Sequence, residues 1–225
     1  MYVKWTFWGN EVSVITTSYR EKFYSGRNLI GESKDVMQYN LAGIDSPCEW
    51  LTKLAAVPQE NARQIRQIIM DASMFPSDNF DEKAITALRV AHLLRLIDKH
   101  YFGGSFMKRA ILKKHVVRAE IVVQKSKEFA WLERKRFKDN NRWKLRITVN
   151  RHNWARKSFA NYDFFGKRPR SKLEALTLTL EHEFAHAIVQ LFCPPKLEHC
   201  GIFRKITRNV FGHNSDRWFI TEPHG

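Results

Sequence analysis

A chain of 225 residues has room for one ample hydrophobic core, or for one core with a small appended unit. Its 44% hydrophobic and 13% aromatic content excludes a disordered polymer, and three cysteines (Cys48, Cys193, Cys200) are too few and too odd in number for a disulfide scaffold. The net charge is +15, with 20 of the 38 Lys/Arg but only 5 of the 23 Asp/Glu falling between Lys108 and Arg170, so the remainder is neutral and a polyanionic partner, nucleic acid first, is expected.

No apolar run reaches the ~18–20 residues of a membrane span, and the opening MYVKWTFWGNEV has neither an uninterrupted apolar segment nor a small-residue cleavage site. An intracellular setting is expected. In chain order, Val3, Trp5 and Phe7 alternate before Gly9-Asn10, and Val12, Val14 and Thr16 alternate after it, which predicts a hairpin. Ser46-Pro47-Cys48-Glu49 carries an N-cap, a proline at the first helical position and a capping-box glutamate, predicting a short helix that ends before Pro58. A second helix is expected from Pro58 to about Ala72.

The next predicted helix runs from about Asp81 to His100, with Ile85, Leu88, Leu94 and Ile97 near one apolar face and Gly103-Gly104 as its end. Three strand-like runs follow, at 116–124, 128–137 and 143–149, the last two joined by the turn-forming Lys138-Asp139-Asn140-Asn141. In the third run Trp143, Leu145, Ile147 and Val149 point to a core, while Lys144, Arg146 and Thr148 point away from it. Trp154 to Phe165 reads as a loop rich in Arg, Lys and aromatics, equally suited to stacking on unpaired bases and to packing in a core. Ser171-Lys172-Leu173-Glu174 is a second capping box, opening a helix that must stop at Pro194-Pro195. A final helix is expected from Gly201 to about Phe211, with Gly212 as its stop.

The capped helix contains His182-Glu183-Phe184-Ala185-His186. Residues four apart lie one turn apart on one helical face, so His182 and His186 can meet a single ion, with Glu183 beside them as a general base. Leu173, Leu176, Leu180, Phe184, Ala187, Ile188 and Leu191 form the opposite, apolar face, and Thr179 and Gln190 share the histidine stripe. Catalytic zinc takes three protein ligands and keeps a fourth position for water. His199, just past the Pro-Pro loop, is the preferred third ligand; Glu198, Cys200, His213 and His224 are rivals, with His213 expected at the surface beyond a helix end.

This helix motif, followed at short range by His199-Cys200-Gly201-Ile202-Phe203, resembles that of the SprT-like (Spartan-type) zinc metallopeptidases, in which a His-Gly-x-x-Phe segment supplies the third ligand. Phe203 keeps the spacing, and Cys200 stands where that family has glycine. Leu94 to Phe102 is similar to the family's opening helix and Leu145 to Asn150 to the strand before its active-site helix, so the likeness spans roughly residues 80–215.

The resemblance implies an α+β, zincin-like metallopeptidase domain over 77–218, with a small antiparallel sheet packed on the His-Glu-x-x-His helix. Residues 1–76 would form an N-terminal extension and 219–225 a tail. It implies one Zn2+ per chain, held by His182, His186 and His199, with Glu183 as the catalytic base. It also implies DNA-stimulated cleavage of proteins bound or crosslinked to DNA, in the cytoplasm or nucleoid, or in a nucleus. Lys144, Arg146, Arg151, Arg156, Lys157, Lys167, Arg168 and Arg170 are the candidate contacts to single-stranded or distorted DNA. A zinc-stapled, non-catalytic DNA-binding module and a DNA-independent metallopeptidase are the alternatives.

Overall fold

A computed structural model describes residues 2–7, 10–15, 23–25, 28–31, 51, 56–137, 142–155, 159, 162–193 and 199–220. The chain divides into two compact units, residues 1–36 and 37–225. In the first, β1 (Tyr2–Phe7) and β2 (Asn10–Ile15) pair antiparallel from Tyr2↔Ile15 to Phe7↔Asn10, the expected hairpin. A second antiparallel pair joins β3 (Phe23–Ser25) to β4 (Asn28–Gly31). The expected helix after Ser46, the turn at 138–141 and the Pro194-Pro195 loop lie outside the described residues.

The second unit is α+β. Helix α1 (Gln59–Asp71) buries Ala62, Ile65, Ile69 and Met70 on one side, as the 58–72 pattern predicts. The helix expected from Asp81 begins later: Asp81 caps only a 3-10 turn (Glu82–Ala84), and the Thr86 hydroxyl then accepts from the Arg89 amide to start α2 (Ala87–Phe102). Gly103 ends it in a left-handed conformation. Helix α3 (Ser105–Leu112) has no counterpart among the predicted elements. Its N-terminal amides at Phe106 and Met107 donate to the two carboxylate oxygens of buried Asp98, at 3.0 and 2.9 Å. A cap placed eight residues upstream, in the preceding helix, escapes any local motif.

Three strands follow: β5 (Val116–Val122), β6 (Ala130–Arg136) and β7 (Trp143–Asn150). Their order is β5-β7-β6, with β5 parallel and β6 antiparallel to β7. The sheet is therefore mixed rather than antiparallel. β6 pairs antiparallel with the strand that follows it, β7, whereas β5 takes the other side of β7 in the same direction. Leu145, Ile147 and Val149 are fully buried, while Lys144 and Arg146 stay half-exposed on the opposite face. Thr148 departs from the expected outward set and is buried.

Past the short α4 (Arg151–Trp154), β8 (Tyr162–Phe164) pairs with β9 (Trp218–Ile220). Trp154, Phe159, Tyr162, Phe164 and Phe165 are all buried, and Phe129 packs edge-on against Trp154 at 5.1 Å. These five aromatics are therefore core, and none of their rings is free to stack on a base. Helix α5 (Lys172–Phe192) is the longest in the second unit and packs against the sheet, α1 and α2. The Ser171 hydroxyl accepts from the Glu174 amide at 3.1 Å, but the Glu174 carboxylate turns to the Arg170 amide, so only half of the capping box forms. Helix α6 (Gly201–Lys205) continues into a π-helical turn (Ile206–Val210). Helix α1 packs on α2 and α5, within the unit that begins after residue 36. No helix among the described residues is long and apolar enough to cross a membrane.

Candidate metal centre

Helix α5 is buried almost all round from Leu173 to Ala185, not on one face alone. Its polar residues must therefore find partners inside the protein. Thr177 and Thr179 donate to the Leu173 and Ala175 carbonyls of their own helix, so Thr179 belongs to no exposed stripe. The remaining polar side chains define two adjoining sites.

The first holds the histidines. His182 and His186 approach with Nε2 atoms 3.2 Å apart. Two nitrogens at ~2.0–2.1 Å from one tetrahedral zinc lie about 3.3 Å apart, so this spacing suits two ligands of one ion. His199 enters from the turn before α6, with φ +56, a left-handed conformation that histidine tolerates better than most side chains. Ligand atoms of His182, His186 and His199 all lie within 4.8 Å of one another, close enough to hold a metal ion. Phe203 is the floor, its buried ring 4.2, 4.7 and 5.0 Å from the rings of His186, His199 and His182. Glu183, buried, adjoins His182 in the helix.

Burial and the neighbouring imidazoles hold His182 well below the usual histidine range, and burial with His199 brings His186 down to about 4. Both are neutral at pH 7, the form that ligates metal. In the unfolded chain these histidines take up protons near 6.5. The stability they contribute is therefore present above that pH and is lost as pH falls from 6.5 toward 4.

Cys200 caps α6 with extended backbone (φ −62°, ψ 171°), a conformation that has no need of glycine. Its thiol is not part of the histidine cluster. Glu198 and His224 lie outside the described residues. His213 is a correction to the sequence reading: it is 2% exposed and its Nε2 donates to Glu181 at 3.0 Å.

Glu181 centres the second site. Its carboxylate accepts from Arg66 Nη2 at 2.7 Å and Nε at 3.1 Å, lies 2.9 Å from the Tyr101 hydroxyl, and accepts from His213. Arg66 also donates to the Phe211 carbonyl at 2.8 Å. Both members of the ion pair are nearly inaccessible, at 2% and 0%. Burial pushes the Glu181 carboxyl up, but the Arg66 guanidinium and then His213 bring it below the ordinary carboxylate range. Burial likewise pushes the Tyr101 hydroxyl far up, with Glu181 adding to it. Sequence reasoning passed over this network, although a carboxylate inside a helix apolar on every side already demands a buried cation.

The candidate DNA contacts fall in separate places. Lys144 and Arg146 line one depression with Glu133, Arg134 and Lys135. On the outer sheet face Arg146 is paired with Glu120 (3.0 Å) and Glu133 (3.3 Å), whereas Arg134, opposite Leu145 in the register, lies 3.4 Å over the Trp143 ring on the other face. Arg151 starts α4. Lys167, Arg168 and Arg170 precede α5, where Arg170 pairs with Glu174 and donates to Gln67. Arg156 and Lys157 lie outside the described residues. Compared with known families, curated proteins and solved structures, the chain matches none.

Proposed function

We propose that this protein is a zinc-dependent endopeptidase of the SprT-like kind, acting on proteins bound or crosslinked to DNA. The observation that carries the reading is the convergence of His199 on the His182–His186 pair, in a partly buried site with Glu183 next to His182 on the same helix. Three imidazoles are a usual protein ligand set for catalytic zinc, and a set of three leaves the fourth position open. Bound there, zinc supplies Lewis-acid polarisation of a carbonyl and acidifies a water. The Glu183 carboxylate takes the water's proton during attack and passes it to the leaving amine.

Purified protein is expected to carry about one zinc per chain, and His182→Ala, His186→Ala and His199→Ala should each remove most of it. Elemental analysis reads this directly, and full zinc retention in His199→Ala would assign the third ligand elsewhere.

The basic segment supports DNA as the cofactor of recognition. Lys144, Lys135 and Arg118 lie on the outward face of the sheet, with Glu120 and Glu133 offsetting Arg146 alone. Binding to single-stranded DNA should weaken with salt, with a log–log slope of about −0.7 per phosphate contact. Replacing Lys144 and Arg146 together by Ala should lower both affinity and slope while zinc content stays constant. An affinity indifferent to salt would favour the DNA-independent peptidase. Cleavage of a DNA-bound protein with and without DNA tests the whole reading: no cleavage by zinc-loaded protein would leave the zinc-stapled DNA-binding module.

A further inference from the structure

His182 is held unlike an ordinary zinc ligand. Metal-binding histidines almost always donate their second ring N–H to a carboxylate or carbonyl, which fixes the ring. Here His182 Nδ1 is buried and has no hydrogen-bond partner among the described residues. The ring instead lies flat on Phe165, with centroids 4.3 Å apart and planes 15° apart. Phe165 also stacks on His213, at 5.1 Å and 8°. Phe165 thus stacks on two imidazoles, one of the metal cluster and one of the buried Glu181 network.

The backbone at Phe165 is as unusual as its ring. Phe164 and Lys167 exchange both backbone hydrogen bonds, at 2.8 and 3.1 Å, closing a two-residue turn in which Phe165 and Gly166 both have positive φ, +58 and +78. Turns of this kind favour Asn-Gly, because a bulky residue at φ > 0 is strained. Gly166 obeys the rule: a Cβ there would meet the Asn214 Cβ at 2.5 Å. Phe165 breaks it, and its carbonyl is pinned by the amides of Asn214 (2.9 Å) and Ser215 (3.0 Å), its own amide by the Arg217 carbonyl (3.2 Å). Strain of this sort persists where surrounding structure over-determines the residue, and it gathers at functional sites.

We infer that Phe165 is a positioning residue for the metal centre, its ring orienting His182 in place of the missing hydrogen bond, with His213 as its second stacking partner. The chain of support runs from Arg66 through Glu181 and His213 to Phe165 and then to His182. This inference rests on the metal-site reading above and adds the device that aims the first ligand.

The test is zinc affinity, measured by competition with a chromogenic chelator, on the full chain. Phe165→Leu keeps apolar bulk and loses the flat face. It should bind zinc about 10–100-fold more weakly, the usual loss when a ligand's supporting group is removed, while far-UV circular dichroism stays that of the wild type. His213→Gln, which keeps a donor for Glu181 but removes the second ring stacked on Phe165, should lose affinity in the same direction. Affinity within threefold of wild type in folded Phe165→Leu overturns the inference and leaves the metal site standing. Wild-type protein that takes up no zinc removes both. If Phe165→Leu does not fold, proton NMR of the metal-free wild type decides: stacking on Phe165 shifts the His182 ring protons upfield, and an unshifted His182 overturns the inference.

Discussion

Glu183→Gln is expected to fold, to keep its zinc and to cleave a DNA-bound protein at least about 10²–10⁴-fold more slowly than the wild type. The amide is nearly isosteric with the carboxylate but cannot accept a proton from water at neutral pH. The variant therefore separates the proposed base from the candidate ligands, since the ligand atoms of His182, His186 and His199 lie close enough to hold a metal ion without Glu183. Zinc content by elemental analysis and turnover of a DNA-bound protein are read on the same preparation. Near-normal turnover in zinc-loaded Glu183→Gln would end the peptidase mechanism, and loss of zinc would make Glu183 part of the metal-holding structure.

Arg66→Ala is expected to destabilise the second unit by about 3–5 kcal/mol, because it leaves the Glu181 carboxylate buried without its cation. For a unit of this size that lowers the melting temperature by roughly 6–20 °C. The double variant Arg66→Met/Glu181→Leu should recover a large part of the loss, since removing both charges abolishes the desolvation penalty. The pH dependence has a fixed sign. The Glu181 carboxyl is held below its usual 4.5, so its contribution is present above that pH and is lost as pH falls through the folded value. Thermal unfolding at pH 7 and pH 4 measures both effects. A loss under 1 kcal/mol in Arg66→Ala would mean that Tyr101 and His213 alone suffice to hold the carboxylate.

The histidine cluster was legible because its signal is local. His182 and His186 are one helical turn apart, Ser171 marks where that helix begins, and His199 follows at short range. Alternation in Trp143–Asn150 and periodicity in Gln59–Asp71 were legible for the same reason. What escaped is non-local. Asp98 caps a helix that starts seven residues later, β5 joins the sheet beside a strand that is not its neighbour in sequence, and Arg66 meets Glu181 across 115 positions. His213 was misread as a surface residue because the sequence past a helix end says nothing about what covers it. The aromatics from Trp154 to Phe165 carried a composition that suits base stacking and core packing equally, and only their packing around Phe129 separates the two.

The Arg66–Glu181 pair also dictates an order of assembly. Arg66 leaves the ribosome long before Glu181, and His213 emerges later still, so the carboxylate beside His182 has no complete set of partners until His213 is made. Contacts of such long sequence separation form slowly, because the intervening loop must close before they stabilise anything. A nascent chain halted after α5 would carry both helix histidines but neither His199 nor the His213 ring that stacks on Phe165. The three-histidine cluster therefore comes together only once the segment beyond α5 has emerged.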